Sequence, residues 1–190
     1  IAQVDKKVKE ERDYKQALII ATAAATDADE NLKETKKRHG KLLLETIESK
    51  IAEAISEEAP IYAADQLKTA QESFESILKD FYENQFDSVL DGAQRLVPKV
   101  DQLITITRIE ATKDKIATVN KSIAELKQQD VERYLPGRVQ AMETISAEAE
   151  DLFNNNDYNG AKQKALDGLA ERDRIVASFD DVAEKTIGDG

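Results

Sequence analysis

With 190 residues, 41% of them apolar but only 5% aromatic, the chain can build one large or two small domains with narrow cores, and a wide aromatic core is excluded. A formal charge of −11 opposes nucleic-acid binding over most of the surface, and the lack of cysteine excludes disulfides, thiolate chemistry and cysteine metal sites. With 34% charged residues, 7 glycines and 3 prolines, and with Ala, Glu, Lys and Leu abundant, the composition predicts an all-α protein of long helices.

The first 58 residues read as one long helix whose weak point is Arg38-His39-Gly40. Leu44, Ile47, Ile51 and Ala54 alternate spacings of three and four, which sets an apolar stripe on one face. The helix is expected to stop near EEAPIY, because Pro60 disfavours helix in the residue before it. A second helix carries Leu67, Ala70, Phe74, Ile77 and Phe81 and ends at YENQF. A third starts at Phe86 and meets no strong turn signal until about residue 131. Its stripe runs through Val89, Ala93, Leu96, Val100 and Leu103, slips near Ile106, and resumes at Ile109, Ile116, Val119, Ile123 and Leu126. Such a slip is expected of one continuous helix that leaves one bundle and enters another. At about 45 residues it would be about 70 Å long, with Pro98 as an early bend. Beyond Pro136-Gly137, a helix with Val139, Met142, Ala149, Leu152 and Phe153 leads to NNNDY, where Asp157 is placed to cap a last helix from Tyr158.

These elements repeat. Tyr14, Ala17 and Ala21 stand in the same relation as Phe86, Val89 and Ala93, and as Tyr158, Ala161 and Ala165, at a constant offset of 72 residues. The offset extends over the rest of the unit: Leu44, Ile47, Ile51 and Ala54 fall opposite Ile116, Val119, Ile123 and Leu126, Tyr62 opposite Tyr134, and Phe81 opposite Phe153. The expected architecture is therefore an elongated tandem of three-helix bundles joined by a long continuous helix. Residues 1–39 would be the third helix of a preceding or incomplete repeat, 40–111 and 112–183 two complete repeats, and 184–190 a disordered tail. Tyr14, Phe86, Tyr158, Ala21, Ala93, Ala165, Phe81 and Phe153 are the expected structural repeat positions, with the aromatic rings packed at helix ends.

Tandem three-helix units joined by continuous helices resemble spectrin-type repeats, with a shorter unit. The Asp-Tyr-x-x-Ala-x-x-x-Ala helix that follows ERYLPGRVQAMETISAEAEDLF is similar to the ends of helical repeats in uncharacterised bacterial envelope proteins and to the second helix of tetratricopeptide motifs. The 72-residue spacing departs from the 34-residue tetratricopeptide period, so no groove of that type is implied. The envelope resemblance implies an extracytoplasmic, lipid-anchored location. A membrane-anchored cytoplasmic rod resembling a spectrin-like division regulator is the alternative.

No catalytic constellation is legible. His39, the single histidine, sits in KKRHGK without a partnered nucleophile or carboxylate. The cluster Lys36, Lys37, Arg38, His39 and Lys41 has three readings: complement to the negative end of a helix before Gly40, a patch for anionic lipid or an acidic partner, or, through His39, a metal ligand or catalytic base. DADENLKETKKR imitates the first ligand positions of a calcium loop, but Leu32 replaces the required glycine and Arg38 the bidentate glutamate. No phosphate loop, dinucleotide or hydrolase motif occurs. The expectation is a non-enzymatic scaffold or adaptor with no cofactor and no metal, which spaces or presents protein partners and can self-associate. The alternative is a sensory or regulatory module that holds a ligand or peptide in a groove between helices. No apolar run reaches 18 residues and no signal peptide opens the chain, so membrane contact would need an anchor outside it. The start at Ile1 reads as a processed or excised piece.

Overall fold

The computed structural model describes residues 2–188, with side chains described for 9–181. Every element is a helix and, among the described residues, there is no strand. In chain order these are α1 (Ala2–Ser56), α2 (Ala59–Tyr62), α3 (Ala64–Tyr82), α4 (Phe86–Gln128), α5 (Val131–Tyr134), α6 (Arg138–Asn154) and α7 (Tyr158–Gly188). The all-α class holds, and α4 is the long uninterrupted helix expected after Phe86, with Pro98 inside it. Two four-residue helices, α2 and α5, add a step that the periodicity of the sequence does not show. Helix α7 takes in residues 184–188 of the expected tail, and 189–190 lie outside the described residues.

The chain divides into two compact units, Ile1–Ile51 with Thr69–Lys99, and Ala52–Lys68 with Val100–Gly190. In the first, Leu44, Ile47, Ala70, Ile77, Phe86 and Val89 are buried. In the second, Val119, Val131, Met142, Ala149, Ala165 and Ile175 form the centre of the core, with Leu135, Phe153, Leu169 and Phe179 packed on its edge. The expected segments 40–111 and 112–183 follow the sequence period, whereas the compact units divide the chain at other points.

Both cores are narrow because alanine fills them. Ala54, Ala59, Ala93, Ala111, Ala149 and Ala161 are fully buried, and small side chains let helices approach closely. A Cβ built on Gly92 would sit 2.8 Å from Ile77 Cγ1, so the backbone there has no room for a side chain. Gly40 is a second such place. It is buried within α1, where an added Cβ would lie 3.1 Å from Val89 Cγ1. The expected weak point at Arg38-His39-Gly40 is thus an uninterrupted stretch of helix, and its glycine serves close packing.

Apart from Gly137 before α6, with φ of 79°, the left-handed turn positions among the described residues are not glycine. Glu58, Asn84, Asp130 and Asn156 take left-handed backbone angles, with φ of 75°, 59°, 54° and 63°. After Asn156, Asp157 caps α7 as its sequence position predicts: Oδ1 accepts from the backbone N–H of Gly160 at 2.9 Å. Pro60 lies in the first turn of α2, where its missing N–H costs nothing. The Glu132 carboxylate accepts from the N–H groups of Gly137 and Val139 and satisfies the open start of α6.

The stripe of α4 does change face. Leu96, Val100, Leu103 and Thr107 are buried along one line, and Thr112, Ile116, Val119 and Ile123 along another. Ile106 and Ile109 are only half-buried. The crossover is instead filled by Thr107, Ala111 and Thr112. Their hydroxyls are satisfied: Thr107 donates to the Leu103 carbonyl at 2.8 Å and Thr112 to that of Tyr158 at 3.3 Å. Among the described residues no buried side-chain nitrogen or oxygen lacks a partner.

The repeated aromatics meet their neighbours edge to face, Phe81 on Phe86 at 5.7 Å and Phe153 on Tyr158 at 5.3 Å between ring centres. Tyr158 is half-buried and its hydroxyl donates to Asn156 Oδ1 at 2.8 Å on the exposed side. Phe86→Ala should therefore cost about 3 kcal/mol through lost transfer energy and a cavity. Tyr158→Phe should cost about 0.5 kcal/mol or less, because the lost hydrogen bond is exchanged for water. Urea unfolding of the two variants checks both values.

Candidate functional site

The densest polar chemistry lies in the second compact unit, where α1 ends and α2 begins. Ser56 closes α1 and Glu58 turns left-handed, so the carboxylates of Glu53, Glu57 and Glu58 come close to one another. Three cations answer them. Arg108 from α4 places Nη2 2.6 Å from Glu53 and Nε 2.8 Å from Glu57. Lys162 from α7 lies 2.9 Å from Glu57 and 3.8 Å from Glu58, and Lys115 lies 2.6 Å from Glu58. Beside them the Tyr62 hydroxyl donates to Asp114 Oδ2 at 2.8 Å, and the Lys115 ammonium sits 5.9 Å from the centre of the Tyr62 ring.

Glu57 is the hub, with its side chain only 16% exposed. Partial burial pushes its pKa up, but the hydrogen bonds and attraction of Arg108 and Lys162 outweigh burial and hold it below the usual 4.5. For Tyr62, burial, the hydrogen bond to Asp114 and the nearby negative charges all act in one direction, pushing the phenol up to about 12. Each carboxylate is compensated by a cation or a donor, so the arrangement is a clamp that ties α1 and α2 to α4 and α7 inside one unit. Among the described residues there is no group of three or more His, Asp or Glu side chains placed to hold a metal ion.

Shallow grooves lie between α1 and α3 in the first unit and between α4 and α6 in the second. One of 380 Å³ is lined by Glu48, Ile51, Gln71, Phe74, Glu75 and Leu78, and one of 330 Å³ by residues that include Ile116, Asn120, Glu150 and Phe153. The polar lining of the second is internally engaged: Asn120 donates to Glu150 at 2.8 Å and accepts from Ser146 at 2.6 Å.

The residues singled out from sequence are spread over the molecule. Phe86, Ala93 and Ala165 are buried, and Phe81, Phe153 and Tyr158 are half-buried. Tyr14 is 81% exposed and Ala21 is exposed, so the ring packing expected at Tyr14 is not made among the described residues. The physical reason is that no described residue covers that part of α1. The basic cluster sits on an unbroken helix, which removes the reading of Lys36, Lys37, Arg38, His39 and Lys41 as complement to a helix end. Lys36 instead pairs with Asp87 at 2.7 Å, Arg38 with Glu34 at 3.0 Å and Lys41 with Glu45 at 3.7 Å, while Lys37 and His39 are exposed. Sequence reasoning missed the Glu57 cluster altogether. Its partners lie 51 to 105 residues apart along the chain, where no periodic signal could link them.

Two outcomes test the clamp. Because the Glu57 pKa is depressed in the folded state, its contribution is present above 4.5 and is lost as pH falls through the lowered value. Glu57→Gln should cost about 1–2 kcal/mol at neutral pH, and the difference from wild type should shrink as acid protonates the wild-type carboxylate. Tyr62 is raised, so its contribution is complete below 10.0 and is lost as pH rises through about 12. Absorbance titration should show a phenolate forming near pH 12 that Tyr62→Phe removes.

The chain has no significant match among protein-family models, curated proteins or solved structures, so no comparison bears on the resemblance to spectrin-type or envelope helical repeats.

Proposed function

We propose that this chain is a non-enzymatic helical scaffold or adaptor, built from tandem 72-residue three-helix units, that spaces or presents protein partners. One observation carries the reading: the same local geometry returns after the same number of residues. Ser56 and Gln128 end α1 and α4, Ala59–Tyr62 and Val131–Tyr134 form the short helices, and Phe86 and Tyr158 open α4 and α7. The left-handed residues follow suit, Glu58 with Asp130 and Asn84 with Asn156. Hydrogen bonds close the paired turns alike: the N–H of Gln85 donates to the Asp80 carbonyl and that of Asp157 to the Leu152 carbonyl, both at 2.9 Å. A chain that spends its polar groups on internal clamps and its length on recurrent packing is suited to holding positions in space.

Placement in the bacterial envelope is part of the proposal and rests on the resemblance of the Asp157-Tyr158 helix. Among the described residues no helix is long and apolar enough to cross a membrane. A spacer has to be elongated. Small-angle scattering should therefore give a pair-distance distribution skewed to long distances, and a symmetric, spherical profile would contradict the spacer reading.

A further inference from the structure

The first half of α1 carries an apolar seam that no described residue covers. Tyr14, Leu18, Ala21, Ala25, Ala28 and Leu32 alternate spacings of four and three, the 3.5-residue period of a coiled-coil seam. All six are exposed, with Tyr14 at 81%, Leu18 at 68% and Leu32 at 54%. From Gln16 to Thr26 there is no charged residue. A solvated single helix has no reason to keep such a pattern, whereas a helix that meets another along this line does. The small residues in the middle of the seam would let two backbones come close together.

We infer that residues 14–32 of α1 form the dimer interface of this protein, pairing antiparallel with the same segment of a second copy about a two-fold axis near Thr22. Charge selects this occupant. Lys15, Thr22 and Asp29 are spaced by seven on one edge of the seam, so Lys15 and Asp29 are equidistant from Thr22. In the antiparallel arrangement Lys15 of each copy faces Asp29 of the other, and Thr22 faces Thr22. The layers between them match in size: Tyr14 meets Leu32, Leu18 meets Ala28, and Ala21 meets Ala25. A parallel pair would set Lys15 of one copy beside Glu10 of the other but leave Asp29 beside Ala24, with no cation for it, so only the antiparallel pair matches both charges of the segment. The segment is therefore self-complementary in one orientation, through the edge charges that set partner and direction in coiled coils.

Sedimentation equilibrium on the full chain tests it with Lys15→Glu, Asp29→Lys and their equimolar mixture. Wild type should dimerise. Each single variant creates two like-charge contacts across the axis and should dimerise roughly tenfold more weakly or worse. The mixture should recover association, because the carboxylate introduced at position 15 of one variant then faces the ammonium introduced at position 29 of the other, while the unaltered Asp29 and Lys15 face each other. Circular dichroism should show unchanged helix content in every sample, since both sites are exposed. A wild type that stays monomeric up to about 1 mM, single variants that dimerise like wild type, or a mixture that fails to recover would each overturn the inference.

Discussion

Close approach of helices over fully buried alanines is the constraint on which the rest of this structure depends. With few aromatics, the chain cannot fill wide spaces between helices, and native packing leaves no room for voids. The helices must therefore come near enough for Ala93, Ala111, Ala149, Ala161 and Ala165 to touch their neighbours. Gly92 against Ile77, Gly40 against Val89 and Gly168 against Val119 mark places where the backbones come close. Such cores bury little area per residue and gain correspondingly little from the hydrophobic effect. Other interactions then have to hold the ends of the elements in place.

Those interactions are polar and lie where the helices turn. Glu58 and Asp130 adopt a left-handed conformation that ordinary side chains avoid. At Glu58 the conformation is secured by Lys115 and Lys162, and the adjacent Glu57 is held by Arg108 and Lys162. At Asp130 the following turn is secured through Glu132, whose carboxylate gathers the N–H groups that open α6. The shared backbone path is thus stabilised by different side chains in its two occurrences. A partly buried ion pair of this sort adds directional specificity as well as modest energy, because desolvation offsets much of the attraction.

Much of the fold was legible in the sequence, because local periodicity reports which face of a helix is buried. Leu44, Ile47, Ile51 and Ala54 are all buried as their spacing predicts, and so are Ile116, Val119, Ile123 and Leu126. What was not legible depends on contacts distant in sequence or on residues that carry no hydrophobic signal. Thr107 and Thr112 are buried at the face change of α4 and would be assigned to the surface by polarity alone. Gly40 looks like a breaker in a sequence read by propensity, yet its missing side chain is what Val89 packs into. The pairing of Glu57 with Lys162 spans 105 residues and has no local cue. Tyr14 shows the converse failure: the pattern identifies a packing position, but no described residue packs on it.

The central claim is that the alanine positions fix how closely the helices approach, and one set of register-matched substitutions tests it directly. Ala21, Ala93 and Ala165 stand 72 residues apart, the first exposed and the other two with no exposure at all. Urea unfolding in dilute solution should show Ala93→Leu and Ala165→Leu each destabilised by about 1–3 kcal/mol, because the added methylenes have no space. At protein concentrations low enough for α1 to be unpaired, Ala21→Leu should stay within about 0.5 kcal/mol of wild type, as for other surface changes. If Ala93→Leu and Ala165→Leu were as stable as Ala21→Leu, the helices would not be held at alanine distance and the account of the cores would be contradicted.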